Sequence, residues 1–379
     1  MKISELLNRF PEESVNLQPK EISVDSIKEK TMKKIQTSRK PVMSVKRRVF
    51  SAIAVAAALV VVLTGVAFAT GIIKYDNTHG FYSSFFGGKS TAALTEAYEP
   101  GAPGAMYEGQ TKFEFPAQER VPVDEEKADE LIGDKITPET GTLTGGGYTL
   151  TLEANLYDSE TGCGLLYLTL ENPNGFPGLV TLKNGIMMFD YEKGAEVEVA
   201  YNVGGRDYID AEKSTDTKLY YCISYINPPV ENADMHEKEI TVGFATIKTD
   251  ERGVYISGEG HGVLTIPLGG ESLESVKTAN GAITVTPIGI RIDGAAIGIE
   301  MADYIREVSL IYKDGSTYVL TSAVDFMDNT TYGQHSGRAG STDNSGYYYS
   351  TVSTMTFNRL VDTAQVAAVV VEGAEYPIG

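Results

Sequence analysis

The chain of 379 residues contains no tryptophan, two cysteines and four histidines. The histidines show neither H-x₃-H nor H-E-x-x-H spacing and none neighbours a cysteine, so no zinc site is indicated; they are His79, His236, His261 and His335. The sequence also lacks the G-x-S-x-G, S-x-x-K and phosphate-loop motifs. These absences argue against the common hydrolase, metalloenzyme and nucleotide-binding classes, and we predict no catalytic residue, no metal and no cofactor.

One stretch lacks charge altogether and organises the rest of the chain. Residues 49–73 carry no charged side chain and follow the triplet Lys46, Arg47 and Arg48. Their core, FSAIAVAAALVVVLTGVAFA, would reach roughly 30 Å as a helix, the thickness of a bilayer's hydrocarbon. Ten of its residues are Phe, Ile, Leu or Val, each favouring insertion by roughly 0.3–0.6 kcal/mol. The sequence therefore predicts a transmembrane helix over residues 49–73.

Charge is divided unevenly on the two sides of this helix. Residues 1–48 hold twelve basic and six acidic residues, a net of +6, which leaves −25 for the rest of a chain whose net charge is −19. Because basic residues beside a span mark its cytoplasmic side, we expect residues 1–48 inside the cell, the triplet at the inner leaflet, and residues 74–379 outside. A net of −25 would repel nucleic acid, which is not expected as a partner.

An alternative to a membrane anchor is a cleaved signal peptide. Residues 67–69 read Ala-Phe-Ala, the pattern of a signal-peptidase site. The segment before the span is far longer than the charged segment that opens a signal peptide, and the apolar core exceeds the usual ~7–15 residues. These lengths favour an uncleaved anchor.

The basic tail contains two short amphipathic segments. Apolar residues at i, i+3, i+4 and i+7 predict a helix that ends at Pro11, and Ser26 with Glu29 forms a capping box for a second helix near residues 26–37. Both are too short to be stable alone, so they should order against lipid headgroups, against each other or against a protein. The predicted contact face comprises Ile3, Leu6, Leu7, Phe10, Ile27 and Ile35.

Beyond the span, composition predicts a stalk followed by β-structure. Residues 74–144 are interpreted as an irregular stalk with one short helix within 121–136 that starts at Asp124. From residue 145 the apolar period becomes two, with turn residues between short strands. This pattern is typical of antiparallel β-sandwiches. We predict a mainly β protein with two tandem Ig-like sandwiches, over residues 145–268 and 272–379.

The strands predicted for the second sandwich include residues 283–292 and 296–301. Pro287 lies inside the first of these and implies an edge strand or a bulge. Residues 325–346 are predicted to be the longest loop. The acidic and amide residues of this loop lack an EF-hand frame, so solvated polarity is a better interpretation than a calcium site.

The two cysteines allow two interpretations. Cys163 and Cys222 lie in the part expected outside the cell, where disulfides persist, so they are a candidate disulfide. Alternatively, both are buried free thiols that pack as small apolar residues.

Several segments together resemble a known group of proteins. They are IKEKTMKKI, the span after KRR, VDEEKADELIGDKI, GGYTLTLEANLYDSETGCGLLYLTLENP and the ending VVVEGAEYPIG. In this combination the chain resembles Gram-positive single-pass membrane proteins with an extracytoplasmic domain of unknown function, described as anti-sigma-factor-like. The resemblance implies a membrane-anchored regulator that holds a sigma factor inside the cell and senses the envelope outside.

Two functional hypotheses therefore stand side by side. In the first, the protein is an envelope regulator or sensor whose cytoplasmic tail docks a sigma factor or another regulator. In the second, the outer part is a binding or scaffold module for a cell-wall glycan or a protein, and the tail is only a membrane brace. No nucleophile–base set is visible, so an enzyme is not predicted.

Overall fold

The computed structural model describes residues 78–102, 105, 107–115, 117–227, 239–250, 253–268, 272–299, 305–322, 336–342 and 348–379. The chain divides into two units, Met1–Thr70 and Gly71–Gly379, and all of these residues belong to the second. Within these ranges, no helix has the length and apolar character needed to cross a membrane. The predicted tail helices and the predicted span over residues 49–73 lie outside the described residues.

Ten strands form the first β-domain as two antiparallel sheets, ordered β3-β4-β5-β10-β9-β7-β6 and β12-β11-β8. The strands are β3 (Thr137–Gly145), β4 (Tyr148–Tyr157), β5 (Cys163–Glu171), β6 (Leu179–Thr181), β7 (Met187–Phe189), β8 (Val197–Tyr201), β9 (Gly204–Ile209), β10 (Lys218–Ile226), β11 (Glu239–Thr249) and β12 (Tyr255–Pro267). The sheets pack on each other through one core, which includes Leu168 and Ile223 from the larger sheet and Val242 and Phe244 from the smaller.

The larger sheet is buried on both faces, and a β-bulge in β4 helps to cover both. Leu150 and Leu152 face the core shared with the smaller sheet, whereas Ala154 and Leu156 belong to a second core on the opposite face. Alternate residues of a regular strand share one face, and the register shift between Leu152 and Ala154 adds the residue that changes it. β5 correspondingly begins with eight consecutive buried residues.

Two helices cover part of that second face. They are α1 (Thr78–Phe85) and α2 (Glu125–Ile132). The side chain of Asp124 accepts a hydrogen bond from the backbone N–H of Lys127 and caps α2, whose buried residues are Ala128, Leu131 and Ile132. The helix predicted within residues 121–136 is therefore present, with the predicted N-cap.

The segment predicted as an irregular stalk differs from that prediction. Besides α1 it contains a hairpin of β1 (Leu94–Ala97) and β2 (Thr111–Phe115), and β3 begins at Thr137, before the predicted boundary at 145. The aromatic side chains that follow the predicted span are buried in the second core and include Phe81 and Tyr82. Their apolar area drives this segment onto the sheet.

The second β-domain also has two antiparallel sheets, ordered β13-β14-β15-β19-β18 and β17-β16-β20-β21. Its strands are β13 (Val276–Lys277), β14 (Ile283–Thr286), β15 (Gly289–Asp293), β16 (Val308–Tyr312), β17 (Thr317–Thr321), β18 (Ser336–Thr342), β19 (Tyr348–Thr356), β20 (Val366–Val371) and β21 (Ala374–Pro377). Ile290, Ile292, Leu310 and Val369 belong to the core between these sheets.

The two β-domains share a strand order. In the larger sheet, β3-β4-β5-β10-β9 corresponds to β13-β14-β15-β19-β18. In the smaller sheet, β12-β11-β8 corresponds to β21-β20-β16. The same connectivity in both halves supports the interpretation of the chain as two related β-domains in tandem.

Three strand predictions in the second β-domain need correction. Residues 283–292 form two strands, because Pro287 and Ile288 make the turn between β14 and β15. Ala295–Ile297, at the start of the strand predicted over 296–301, is a 3₁₀ turn. Residues 336–342 of the predicted loop form β18, which pairs with β19. Glycine and serine in β18 obscure the alternation by which a strand is recognised.

Candidate functional site

The predicted docking and anchoring residues cannot be positioned within the fold. The docking face (Ile3, Leu6, Leu7, Phe10, Ile27, Ile35) and the anchor (Lys46, Arg47, Arg48) lie outside the described residues. The acidic and amide residues weighed for calcium also lie outside them: Asp325, Asp328, Asn329, Asp343 and Asn344.

The candidate disulfide is not formed. Cys163 and Cys222 are both free and buried. They lie on adjacent strands, but Cys222 pairs with Tyr167, four residues beyond Cys163. This offset separates the cysteines by about 13 Å along the strands, whereas bridged residues have Cα atoms within about 7 Å. The alternative interpretation, two buried thiols, matches the structure.

A cluster of polar side chains lies between α1 and the larger sheet. Ser84, on the buried face of α1, donates a hydrogen bond to Asp210 Oδ2 at 2.7 Å and lies 3.2 Å from the hydroxyl of Tyr167. Lys213 Nζ donates to Ser84 Oγ at 2.7 Å and also to the carbonyl oxygen of Gly80. Three side chains, one from β5 and two from the turn after β9, therefore hold one face of α1.

The last turn of α1 is held by a second set of contacts. The Tyr208 hydroxyl donates to the carbonyl oxygen of Ser84, and Arg120 Nη1 donates to the carbonyl oxygen of Phe85 at 2.8 Å. The Arg120 guanidinium lies 5.1 Å from the centre of the Tyr208 ring, where a cation–π attraction operates. These groups satisfy C-terminal carbonyls that a helix leaves without internal partners.

Burial changes the chemistry of this cluster. Burial lowers the pKa of Lys213, although Asp210 opposes the change. The side chains of Lys213 and Asp210 are only 27% and 11% exposed. Burial raises the pKa of Cys222 to about 12, and its thiol is in hydrogen-bonding contact with Tyr208. At neutral pH Cys222 is therefore a protonated, unreactive thiol.

The second β-domain covers the other end of the same face. Buried Asp158, at the turn between β4 and β5, accepts hydrogen bonds from Thr161 N at 3.0 Å and from Leu273 N at 3.3 Å. Thr161 Oγ1 also donates to Asp158. Leu273 lies in the connection between the β-domains, so one carboxylate holds both the turn and the connection.

Close packing accompanies these hydrogen bonds. Cys163 Sγ lies 3.5 Å from the carbonyl oxygen of Met355, and Thr354 Oγ1 donates to the carbonyl oxygen of Thr161 at 3.4 Å. Gly289 lies against Cys163 so closely that an added Cβ would be 2.3 Å from Sγ. Burial raises the pKa of Cys163, as it does that of Cys222.

The polar groups of the cluster are better suited to holding α1 in place than to catalysis. Ser84 is only 4% exposed, and its proton is directed to Asp210 while Lys213 donates to its oxygen. Among the residues that the structure describes, no group of three His, Cys, Asp or Glu side chains is arranged to hold a metal ion. His79 pairs with Glu125 at the surface, at 2.7 Å.

Sequence reasoning missed this cluster. Ser84 and Asp210 are 126 residues apart, and no spacing rule connects them. The only sequence signal was the run of aromatic residues around Ser84, which are Phe81, Tyr82, Phe85 and Phe86. The structure buries all four in the core beside the larger sheet.

Comparison with known proteins adds little. No family model and no curated protein matches the chain. One solved structure, "the conserved domain protein from Bacillus anthracis", is 12% identical over 62% of this chain and 76% of its own, with a TM-score of 0.30. A similarity of this size identifies neither a fold nor a function.

Proposed function

We propose that this chain is a single-span envelope regulator of the anti-sigma-factor-like kind. Residues 1–48 would lie in the cytoplasm and dock a sigma factor or another regulator, and residues 49–73 would span the membrane. The two β-domains, proposed as Ig-like sandwiches, would form the extracytoplasmic sensing part. The proposal assigns the protein no catalytic role.

The observation that carries this proposal is the position of α1. The helix begins at Thr78, five residues after the predicted span ends, and its aromatic residues share one core with α2, the larger sheet and Ile288 of the second β-domain. A change in either β-domain would therefore act on the segment that directly follows the span. A flexible stalk would absorb such a change.

The test uses the full chain purified from membranes with its bound cytoplasmic proteins. One variant replaces Ile3, Leu6 and Leu7 by serine and so removes the predicted apolar face. The matched control replaces Ser4, Glu5 and Asn8 by alanine and changes the opposite face of the same predicted helix. A sigma factor or another regulator should copurify with the wild type and the control but not with the serine variant, because only that variant loses the contact face.

The second candidate is an extracytoplasmic scaffold or binding module for a cell-wall glycan or a protein. The single core that joins α1, α2 and both β-domains favours it, because a rigid body suits a spacer. In that case the serine variant would bind the same proteins as the wild type. Equal recovery from all three chains would therefore reject the regulatory role.

A further inference from the structure

α1 is attached to the molecule differently from every strand that surrounds it. It is eight residues long, too short to persist as an isolated helix in water. Because it is a helix, the backbone hydrogen bonds of the sheets do not hold it, and its order depends on side-chain packing and on the contacts of the polar cluster. Phe81, Tyr82, Phe85 and Phe86 supply the apolar part of that packing.

The polar cluster makes the free energy of docking α1 on the sheet less favourable. Burying an ammonium and a carboxylate costs solvation energy, which their mutual contact does not fully return. When α1 leaves the sheet, water regains access to Lys213, Asp210 and Ser84, and this cost is recovered. The same hydrogen bonds admit only one docked position. The helix is therefore held accurately but less tightly than its aromatic area alone would suggest.

The junction with the second β-domain has the opposite character. Its contacts include the buried carboxylate of Asp158, which accepts from the backbone N–H groups of Thr161 and Leu273, and Gly289, which packs against a thiol. Cys163 and Gly289, which meet at this junction, belong to paired strands of two different sheets. Opening the junction requires two sheets to separate, whereas opening the contact with α1 frees one short helix.

We infer that α1 is a latch, which leaves the larger sheet while the two β-domains stay joined. Its release would uncover the face of the sheet around Tyr167, Tyr208 and Cys222 and would free the segment that follows the predicted span. The use of this motion as a signal rests on the proposed function, but the motion itself does not.

The two buried thiols report separately on the two contacts. Cys222 contacts Tyr208, which bonds to the α1 backbone, whereas Cys163 lies against Met355 and Gly289 of the second β-domain. The experiment measures labelling rates with a small uncharged maleimide on the full chain in detergent. Single-thiol chains carry Cys163→Ala or Cys222→Ala.

Phe81→Ala is added to each single-thiol chain to weaken the latch. Labelling of Cys222 should accelerate by about tenfold or more, while that of Cys163 should change by less than about twofold, because buried groups react through local opening. Ser84→Ala is the milder variant and should give the same selectivity with a smaller acceleration. It provides the readout if Phe81→Ala fails to fold.

The matched control is Ile288→Ala, which removes apolar contact on the second-domain side of the same core. It should accelerate labelling of Cys163 more than that of Cys222. Equal acceleration of both thiols by Phe81→Ala or Ser84→Ala would mean that α1 opens only with the whole fold, and the latch would be rejected, as it would be if neither thiol responded. If Cys222 is labelled selectively but the variant with serine at positions 3, 6 and 7 binds the same cytoplasmic proteins as the wild type, the regulatory role is rejected and the latch is kept.

Discussion

The outer face of the larger sheet has two unlike neighbours. α1 contacts Tyr167 of β5 and Tyr208 of β9, and it is held by aromatic side chains and by a hydrogen-bonded cluster with two charged members, Asp210 and Lys213. Over the start of β5 lies the second β-domain, held by Asp158 and by the close approach of Gly289 to Cys163. The contact with α1 includes two charged side chains that water can reach when the helix leaves, whereas the junction combines a buried carboxylate bonded to backbone N–H groups with close packing.

This difference indicates which of the two contacts opens more readily. A polar network specifies position without adding much stability, whereas close packing of apolar groups adds stability and tolerates little change. We therefore expect the junction with the second β-domain to respond strongly to small substitutions. We expect substitutions at α1 to change the free energy of unfolding of the whole fold only a little and to increase local opening strongly.

The largest expected effect is at Asp158. Asp158→Ala leaves the buried N–H groups of Thr161 and Leu273 without their acceptor and should lower the free energy of unfolding by about 3 kcal/mol. Urea denaturation of the full chain measures it. Asp158→Asn should lose less because it keeps one acceptor oxygen.

The control for this prediction is a less buried aspartate in the second β-domain. Asp293 accepts one hydrogen bond from the backbone N–H of Ala296, at 3.2 Å in an exposed turn. Asp293→Ala should therefore cost less than about 1 kcal/mol. If the two alanine variants were equally stable, the junction would not depend on the buried carboxylate.

An intermediate effect is expected where the β-domains pack most closely. Gly289→Ala would place a methyl group 2.3 Å from Cys163 Sγ and 2.8 Å from the Met355 carbonyl oxygen, and overpacking of this kind costs about 1–3 kcal/mol. Cys163→Ala removes the nearer atom and should recover part of the loss. A double-mutant cycle on urea unfolding measures the coupling between the two positions.

The contact with α1 offers the matched glycine. An added Cβ at Gly133 would meet Asp129 Oδ1 at 2.3 Å and the Tyr82 hydroxyl at 2.9 Å, and the nearer of the two atoms ends an exposed side chain that can move. Gly133→Ala should cost less than about 1 kcal/mol. A loss as large as that of Gly289→Ala would show that both contacts are equally tight and would remove the distinction between them.

Sequence patterns recovered those parts of the fold in which local residues decide the structure. The alternation in β4, the apolar run of β5 and the capped helix α2 were visible because their apolar spacing and turn residues lie within a few positions. β9 and the first half of β12 were not predicted, because GGRDYI and YISGEGHG show no clear alternation. Pro287 was detectable as an irregularity, but only pairing with neighbouring strands identified it as a turn.

The candidate site was not predictable in the same way. Ser84, Asp210 and Lys213 meet only because β9 and β10 bring the turn between them under α1. The cysteines illustrate the same limit: their expected location outside the cell suggested a bridge, but a register offset of four residues on adjacent strands excludes it. Long-range register is not encoded in any local pattern.

The smallest expected effect is electrostatic and concerns Lys213. Its folded-state pKa lies below the value of 10.5 for an unfolded lysine, because burial disfavours the ammonium. Between the lowered value and 10.5 the unfolded chain binds more protons, so the contribution of Lys213 to stability rises with pH across that window. Below the window the full cost of burying the charge remains. Lys213→Met removes this dependence.

A lysine with the opposite shift gives the control. Burial is the largest influence on the pKa of Lys218 and lowers it, but the hydrogen bond to Glu171 and the nearby charges of Glu171 and Glu153 together outweigh burial and raise the pKa above 10.5. Its contribution is therefore constant up to 10.5 and is lost above it. Urea unfolding at several alkaline pH values should show the free energy of unfolding of the wild type rising relative to that of Lys213→Met as the pH approaches 10.5. The difference between wild type and Lys218→Met should stay constant over the same range, and a constant difference for Lys213→Met as well would mean that no buried charge opposes the docking of α1.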